Sequence, residues 1–310
     1  MGNEKSVTEQ ILEKIDTLKR KHHGIILAHN YQEPEIQDMA DFSGDSLELS
    51  RKAAATNAQL IVFCGVRFMA ETASILSPNK TVLLPDETAG CPMADMIALD
   101  QLMRLKAEHP GSIVVCYVNS SAEVKAESDI CCTSSNAVAV VRSLPRDSKI
   151  LFVPDKHLGH YVSMQTGRDM ILWEGFCPTH VRILPEDILS RKREYPQALV
   201  MAHPECPAAV RSLADEVLST GGMCRFVSTC DSVSYIVGTE VGMLHRLRKE
   251  NPGKTFIPAS LFGTCPNMKK ITLEKVLWCL ESLEGEVRVS DTVRIKAQES
   301  LRRMLEVKIQ

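Results

Sequence analysis

Three cysteines in this chain stand directly before a proline and shortly after an apolar run. They are Cys91 in "GCPMA", Cys177 in "FCPTH" and Cys265 in "TCPNM", separated by 86 and 88 residues. Thiolates are soft ligands, so three at one interval point to a shared metal centre. Two chemistries suit them. With His180, three residues after Cys177, they form a Cys₃His set for zinc. Alternatively they hold a [4Fe–4S] cluster at three corners. Electron-carrying clusters normally take four cysteines, which counts against a redox carrier. Three ligands leave one iron open, a Lewis acid that can grip a hydroxyl or carbonyl and help expel water. A further Cys-Pro pair, Cys206-Pro207, falls out of register and is read as a non-ligand. Cys64, Cys116 and Cys279 read as small buried hydrophobes, and the adjacent Cys131 and Cys132 do not suit one metal.

Other polar residues keep the same interval. "IILAHNY" carries His29-x-Tyr31, "VVCYVNS" carries Tyr117-x-Asn119, and "LVMAHPE" carries His203-x-Glu205. Twelve residues after the first member of each pair stands an Asp (Asp41, Asp129, Asp215). Seventeen residues after it stands a hydroxyl (Ser46, Ser134, Thr220). His, Tyr and Glu are the usual carriers of protons in catalysis. The hydroxyls precede helix-like runs. They are either N-caps or part of helix N-termini that receive anions. Three such ends around one cavity would suit up to three anionic groups. His157 and His160 in "DKHLGHYV" have metal-ligand spacing but no matching pair, and read as packing residues.

The elements that must position these groups repeat with them. Each unit reads strand, helix, strand, helix, strand, helix. Strands are expected near 24–29, 59–64 and 80–84; near 112–117, 149–153 and 169–173; and near 198–203, 224–228 and 255–258. Helices of the first unit fall near 46–57, 67–76 and 95–108. The strands are continuous apolar runs, as parallel strands buried on both faces should be. The expected fold is α/β: three homologous three-layer α/β/α domains with small parallel sheets, arranged with pseudo-threefold symmetry around a central site. The repeats span 22–109, 110–195 and 196–285, with an N-terminal helix over 5–21 and a C-terminal helix over 290–308. Ligands of open parallel sheets bind beyond the carboxyl ends of the strands, where the repeated polar residues fall. Proline after each cysteine stops the strand and is expected to fix the turn that aims the thiol.

Composition narrows the function. The 310 residues are 44% hydrophobic and 24% charged, with a net charge of −3, so no basic field draws the chain to nucleic acid or anionic lipid. No run approaches the ~18 apolar residues of a spanning helix. The charged, helix-periodic start is unlike a signal peptide. With eleven cysteines the expectation is a cytoplasmic protein whose thiols serve as ligands or packing.

The chain resembles the quinolinate synthases, iron–sulfur enzymes of de novo NAD biosynthesis. The resemblance spans nearly all of it and rests on "AHNYQ", "SGDS", "CYVNS", "HPEC", "STGGM", "VGTEVGML" and the three separated cysteines. It implies one [4Fe–4S] cluster with an open iron, held by Cys91, Cys177 and Cys265. It implies condensation of iminoaspartate (iminosuccinate) with dihydroxyacetone phosphate to quinolinate, phosphate and two waters. An enzyme that makes the imine then becomes a transient partner. His29, Ser46, Tyr117, Val118, Asn119, Ser134, His203, Pro204, Glu205 and Thr220 match substrate contacts, and Tyr31 an acid–base tyrosine. On chemistry, Glu205 and Tyr31 are expected to move protons and His29 and His203 to orient substrate oxygens. Some members carry a C-x-x-C pair at the third ligand. Here Cys265 is alone, so the thiol–disulfide control proposed for that pair does not carry over. The alternative is a zinc hydrolase, or a zinc-stabilised small-anion-binding protein, using Cys91, Cys177, Cys265 and His180.

Overall fold

A computed structural model of the chain describes residues 6–308. Twelve strands form three sheets. The first holds β1 (Gly24–His29), β2 (Phe42–Gly44), β3 (Leu60–Cys64) and β4 (Thr81–Leu83). The second holds β5 (Ile113–Tyr117), β6 (Ile130–Cys132), β7 (Ile150–Val153) and β8 (Ile171–Leu172). The third holds β9 (Leu199–Ala202), β10 (Glu216–Val217), β11 (Ser234–Gly238) and β12 (Thr255–Pro258). Their spatial orders are β2-β1-β3-β4, β6-β5-β7-β8 and β10-β9-β11-β12. Every pairing within them is parallel, with Ile26 against Val62, Val115 against Phe152 and Val200 against Ile236. The protein is α/β, built of one topology used three times.

Each unit has a fourth strand that its apolar runs do not announce. β2, β6 and β10 are only two or three residues long. The repeated aspartates explain them. Asp41, Asp129 and Asp215 each accept a hydrogen bond from a first-strand N–H through Oδ2: Ile26 at 2.8 Å, Val114 at 2.7 Å and Val200 at 2.7 Å. Their own N–H groups donate back to the carbonyls of the same three residues at 2.9–3.1 Å. This two-way clamp starts each short edge strand in register.

The strand expected near 224–228 is a correction. Those residues lie in the helix Thr220–Thr229, which buries Met223, Cys224 and Val227 on one face and is capped by Ser219, whose Oγ accepts the Gly222 N–H. The strand is β11, ten residues later. A short apolar run does not by itself separate helix from strand. Around β11 the alternation is legible: Tyr235 and Val237 enter the main core, while Ile236 faces a smaller cluster with Val200, Ala202 and Ile257. The remaining expected strands overlap observed ones.

The terminal helices strap the units together. The N-terminal helix runs Val7–Lys21, closed by a Ser6–Glu9 capping box; residue 5 of its expected span lies outside the described residues. After the third unit the chain returns to the first, where the Val287 N–H donates to Val82 O at 2.8 Å. It then packs the helix Asp291–Glu306 on the second unit, with Ser300 Oγ donating to Lys125 O and Asn136 Nδ2 to Met304 O. Where the three units converge, the Ser135 hydroxyl donates to Asp45 Oδ2 at 2.5 Å and lies 2.7 Å from Ser219 Oγ. Among the described residues, no helix is long and apolar enough to cross a membrane.

Candidate active site

One cavity opens between the three sheets, beyond the carboxyl ends of their strands. Cys91, Cys177 and Cys265 all line it, with His29, Tyr31, Ser46, Tyr117, Asn119, Ser134, His203, Glu205 and Thr220. Val118 and Pro204 do not. Val118 is buried against a small neighbouring space with Ser46 and Phe68, and Pro204 borders an outer groove.

The Cys-Pro turns are alike. Each leads into a short 3₁₀ turn: Ala94–Met96, His180–Arg182 and Met268–Lys270. Proline with its fixed φ suits such a start. Burial pushes the Cys91 thiol up to about 12, opposed by the backbone N–H of Ala94. Burial, then Glu205 and Cys91, push the Cys177 thiol up as well. A thiol so raised ionises only beside a cation, and three half-buried sulfurs from three units around one space fit a shared metal centre. The third turn is braced by the buried Glu240, whose Oε1 accepts the Cys265 N–H at 3.1 Å and whose Oε2 accepts the Gly242 N–H at 2.7 Å. Cys206 is fully buried, points at Gly238 O and lies outside the cavity. His157 and His160 sit beside the Arg211 guanidinium, an unfavourable place for a cation.

His29 and His203 adopt the same local turn at the ends of β1 and β9. Nδ1 of each accepts the N–H two residues on, from Tyr31 at 3.2 Å and from Glu205 at 3.3 Å. In the neutral ring that assigns the proton to Nε2. Burial pulls His29 down to about 4 and His203 down to about 3, overcoming the opposite pull of nearby carboxylates. Both are therefore neutral donors; His203 Nε2 lies 3.2 Å from Ser134 Oγ.

The hydroxyls of Ser46 and Thr220 are not caps. The caps are the residues before them, Asp45 and Ser219, so Ser46 and Thr220 open their helices with hydroxyls in the cavity wall. Thr220 Oγ1 accepts from Asn30 Nδ2 at 2.9 Å, and Arg246 holds the other end of that amide.

A chain of polar side chains runs along one wall. The Tyr31 hydroxyl lies 2.7 Å from Thr239 Oγ1, which lies 2.9 Å from His180 Nε2. His180 Nδ1 lies 2.7 Å from Glu205 Oε2, and the Tyr117 hydroxyl donates to Glu205 Oε1 at 2.5 Å. His180 also stacks on His203, centroids 4.6 Å apart. Burial pushes the Glu205 carboxyl up, but His180, His203 and the Tyr117 hydroxyl outweigh it and hold it below the usual carboxylate range. Burial and then Glu205 push both tyrosines up. Each group lies within 2.9 Å of the next, but the His180 Nδ1–Glu205 contact is an ion-pair distance without hydrogen-bond alignment, so a turn of the imidazole is needed to close the chain. A Cys₃His zinc site would have to take a His180 nitrogen away from this chain. Cys177, His180 and Glu205 also bring ligand atoms within 4.8 Å of one another, a spacing that suits a single ion.

Thr239 and Glu240 are functional candidates that residue pairs and spacing did not single out. Their signal lay in "VGTEVGML", a segment with neither Cys nor His; in the strand register Glu240 matches the buried Asp155 of the second unit. Lys269 joins them by bridging Glu240 and donating to Tyr31 O at 2.7 Å.

The family model "NadA: Quinolinate synthetase A protein" matches residues 13–306. A quinolinate synthase of Dehalococcoides mccartyi (strain CBDB1) is 58% identical over 96% of this chain and 99% of its own. Those of Desulforudis audaxviator and Methanosarcina barkeri (strain Fusaro / DSM 804) are 54% and 52% identical, over 96% and 97% of this chain and 99% and 98% of their own. With a cavity that gathers thiols, imidazoles and a buried carboxylate, and a match along nearly its whole length, this chain belongs to the quinolinate synthase family of enzymes.

Proposed function

We propose that this enzyme condenses iminoaspartate with dihydroxyacetone phosphate, giving quinolinate, phosphate and two waters. In this reading Cys91, Cys177 and Cys265 hold one [4Fe–4S] cluster. Bound there, the cluster supplies an open iron that polarises a hydroxyl or carbonyl. The observation that carries the reading is that the three thiols, Tyr31, His180 and Glu205 face one cavity, with Thr239 linking Tyr31 to His180 behind its wall. The repeats act as domains spanning 22–109, 110–195 and 196–285, each giving one thiol. The cytoplasm is the setting, and an imine-forming enzyme the transient partner.

The protein groups have separable tasks. His29 and His203, neutral with the proton on Nε2, donate to substrate oxygens. Ser46, Ser134, Asn119 and Thr220 offer neutral polar groups around the carboxylates, two of them at helix N-termini that favour negative charge. Triose isomerisation, ring closure and the dehydrations each move protons. The Tyr31 hydroxyl gives or takes them at the cavity face, and Thr239 and His180 pass them to Glu205. Tyr117 holds the far oxygen of Glu205, which fixes the carboxylate toward His180.

The test is iron, zinc and acid-labile sulfide per chain after purification without oxygen, followed by a quinolinate assay with both substrates. About four irons with matching sulfide and quinolinate formation is the expected result. Zinc without sulfide would replace the cluster by the zinc reading.

A further inference from the structure

Five residues after each ligand cysteine stands a side chain at a joint between units. Met96 Sδ accepts the Phe176 N–H at 3.3 Å, tying the first unit to the residue before Cys177. Lys270 Nζ donates to Thr88 O at 2.7 Å, tying the third unit to the segment before Cys91. Arg182 is the third member of this set, and it ties nothing. Among the described residues its guanidinium has no hydrogen bond and no ion pair. The next residue, Ile183, packs on Gly263 of the segment 260–264. That segment, "SLFGT", has no carboxylate, and its Leu261 and Phe262 are 70% and 76% exposed.

Arg182 instead lines the cavity, exposed at its rim. It is the only Lys or Arg among the described residues that does so. The other fixed charges of the lining are the carboxylates of Asp45 and Glu205. The other side-chain donors of the lining are hydroxyls, the amides of Asn119 and Asn267, imidazoles and thiols. A carboxylate can be held by such groups. A phosphate monoester carries about −1.5 to −2 charges at neutral pH and meets no formal cation until Arg182. A guanidinium offers two parallel N–H donors matched to two phosphate oxygens.

We propose that Arg182 receives the phosphate of the phosphorylated substrate at the rim and sets the enzyme's affinity for it. Inorganic phosphate, the leaving product, is a ligand of the same residue. The inference rests on the reading of the reaction as one that consumes a triose phosphate.

The experiment uses metal-loaded, oxygen-free protein as wild type, R182Q and R182K. For R182Q the KM for dihydroxyacetone phosphate should rise about tenfold or more, with kcat and the KM for the imine within about threefold. Inhibition by inorganic phosphate should weaken in parallel, and R182K should recover part of both effects, because a point charge replaces the fork. Calorimetric titration of inorganic phosphate into the loaded proteins should show the same order without turnover. Unchanged phosphate affinity and triose-phosphate KM in R182Q would overturn the proposal. So would a rise confined to the imine KM, which would assign Arg182 to a carboxylate, or a fall in kcat alone. Wild-type protein that made no quinolinate would sink the reading of the reaction, while the phosphate titration would still decide Arg182.

Discussion

Glu205 has two neighbours that pull in different directions. Tyr117 fixes one oxygen as an acceptor, and His180 faces the other. Its carboxyl stays ionised, so it can stabilise a cationic His180 when a proton arrives through Thr239. Thr239 is the narrow point, because its hydroxyl is the shorter route from Tyr31 to His180: 2.7 and 2.9 Å, against 3.5 Å directly. Thr239→Val should lower kcat by about 10²-fold or more with iron and sulfide per chain unchanged; Thr239→Ser should restore most of it. Retained kcat in the valine variant would remove Thr239 from the path. The imidazoles make a second prediction. His203 is held neutral in the fold down to about 3, but unfolded it titrates near 6.5. Below that pH the unfolded chain binds the extra proton, so stability falls as pH falls. Between pH 6.5 and about 4.5 this amounts to roughly 2 kcal/mol. Burial raises the Asp155 carboxyl, which acts with the opposite sign in the same window, so the difference between proteins is the measurement. Denaturant unfolding of His203→Gln should show a flatter pH dependence than wild type over that range. Parallel curves would mean that His203 titrates normally in the fold.

At the scale of elements, the three aspartate clamps show how a repeat keeps its register. Each carboxylate accepts a buried strand N–H that otherwise has no partner. Asp129→Ala should therefore destabilise by about 1–3 kcal/mol, read as a lower denaturant midpoint at unchanged slope, with metal binding intact; a midpoint shift within error would make the clamp ornamental. The aspartates were visible in the sequence as a repeated residue twelve places on, but their task was not, because a side chain that bonds to the backbone leaves no periodic trace. The same limit explains the third unit. "CRFV" and "YIVG" are both short apolar runs, and only the cap at Ser219 and the buried face of Met223, Cys224 and Val227 make the first of them helix. Cys-Pro was easier to read. The strands end at Leu83, Leu172 and Pro258, several residues ahead of Pro92, Pro178 and Pro266, so proline does not stop them as expected; it leads into the same 3₁₀ turn in all three units. Pro→Ala at 92, 178 or 266 should loosen that turn and speed iron loss to a chelator, while equal loss rates in all three variants and wild type would leave proline no part in aiming the thiol.

For the molecule as a whole, repetition made the cavity legible: residues at one register in three like units gather at one place once the units pack about a common axis. What repetition hid is whatever one unit alone supplies. Thr239 and Lys269 have no counterparts of their kind at the matching places, and Glu240 and Arg182 differ in task from Asp155 and Lys270, which hold theirs, so these tasks came only with the coordinates. The units are also less independent than their sequences suggest. The main core cluster draws side chains from all three, and the tail after the third unit crosses the first to reach the second. Metal-free protein should therefore unfold in a single calorimetric transition rather than three. Because each unit gives one thiol, a centre bound by all three stabilises only the assembled state. Loading should raise the transition temperature by roughly 5 °C or more. Cys91→Ser, Cys177→Ser and Cys265→Ser should each abolish that rise while moving the metal-free transition little. Three separable transitions would mean that the units fold alone and that the centre, not the shared core, joins them.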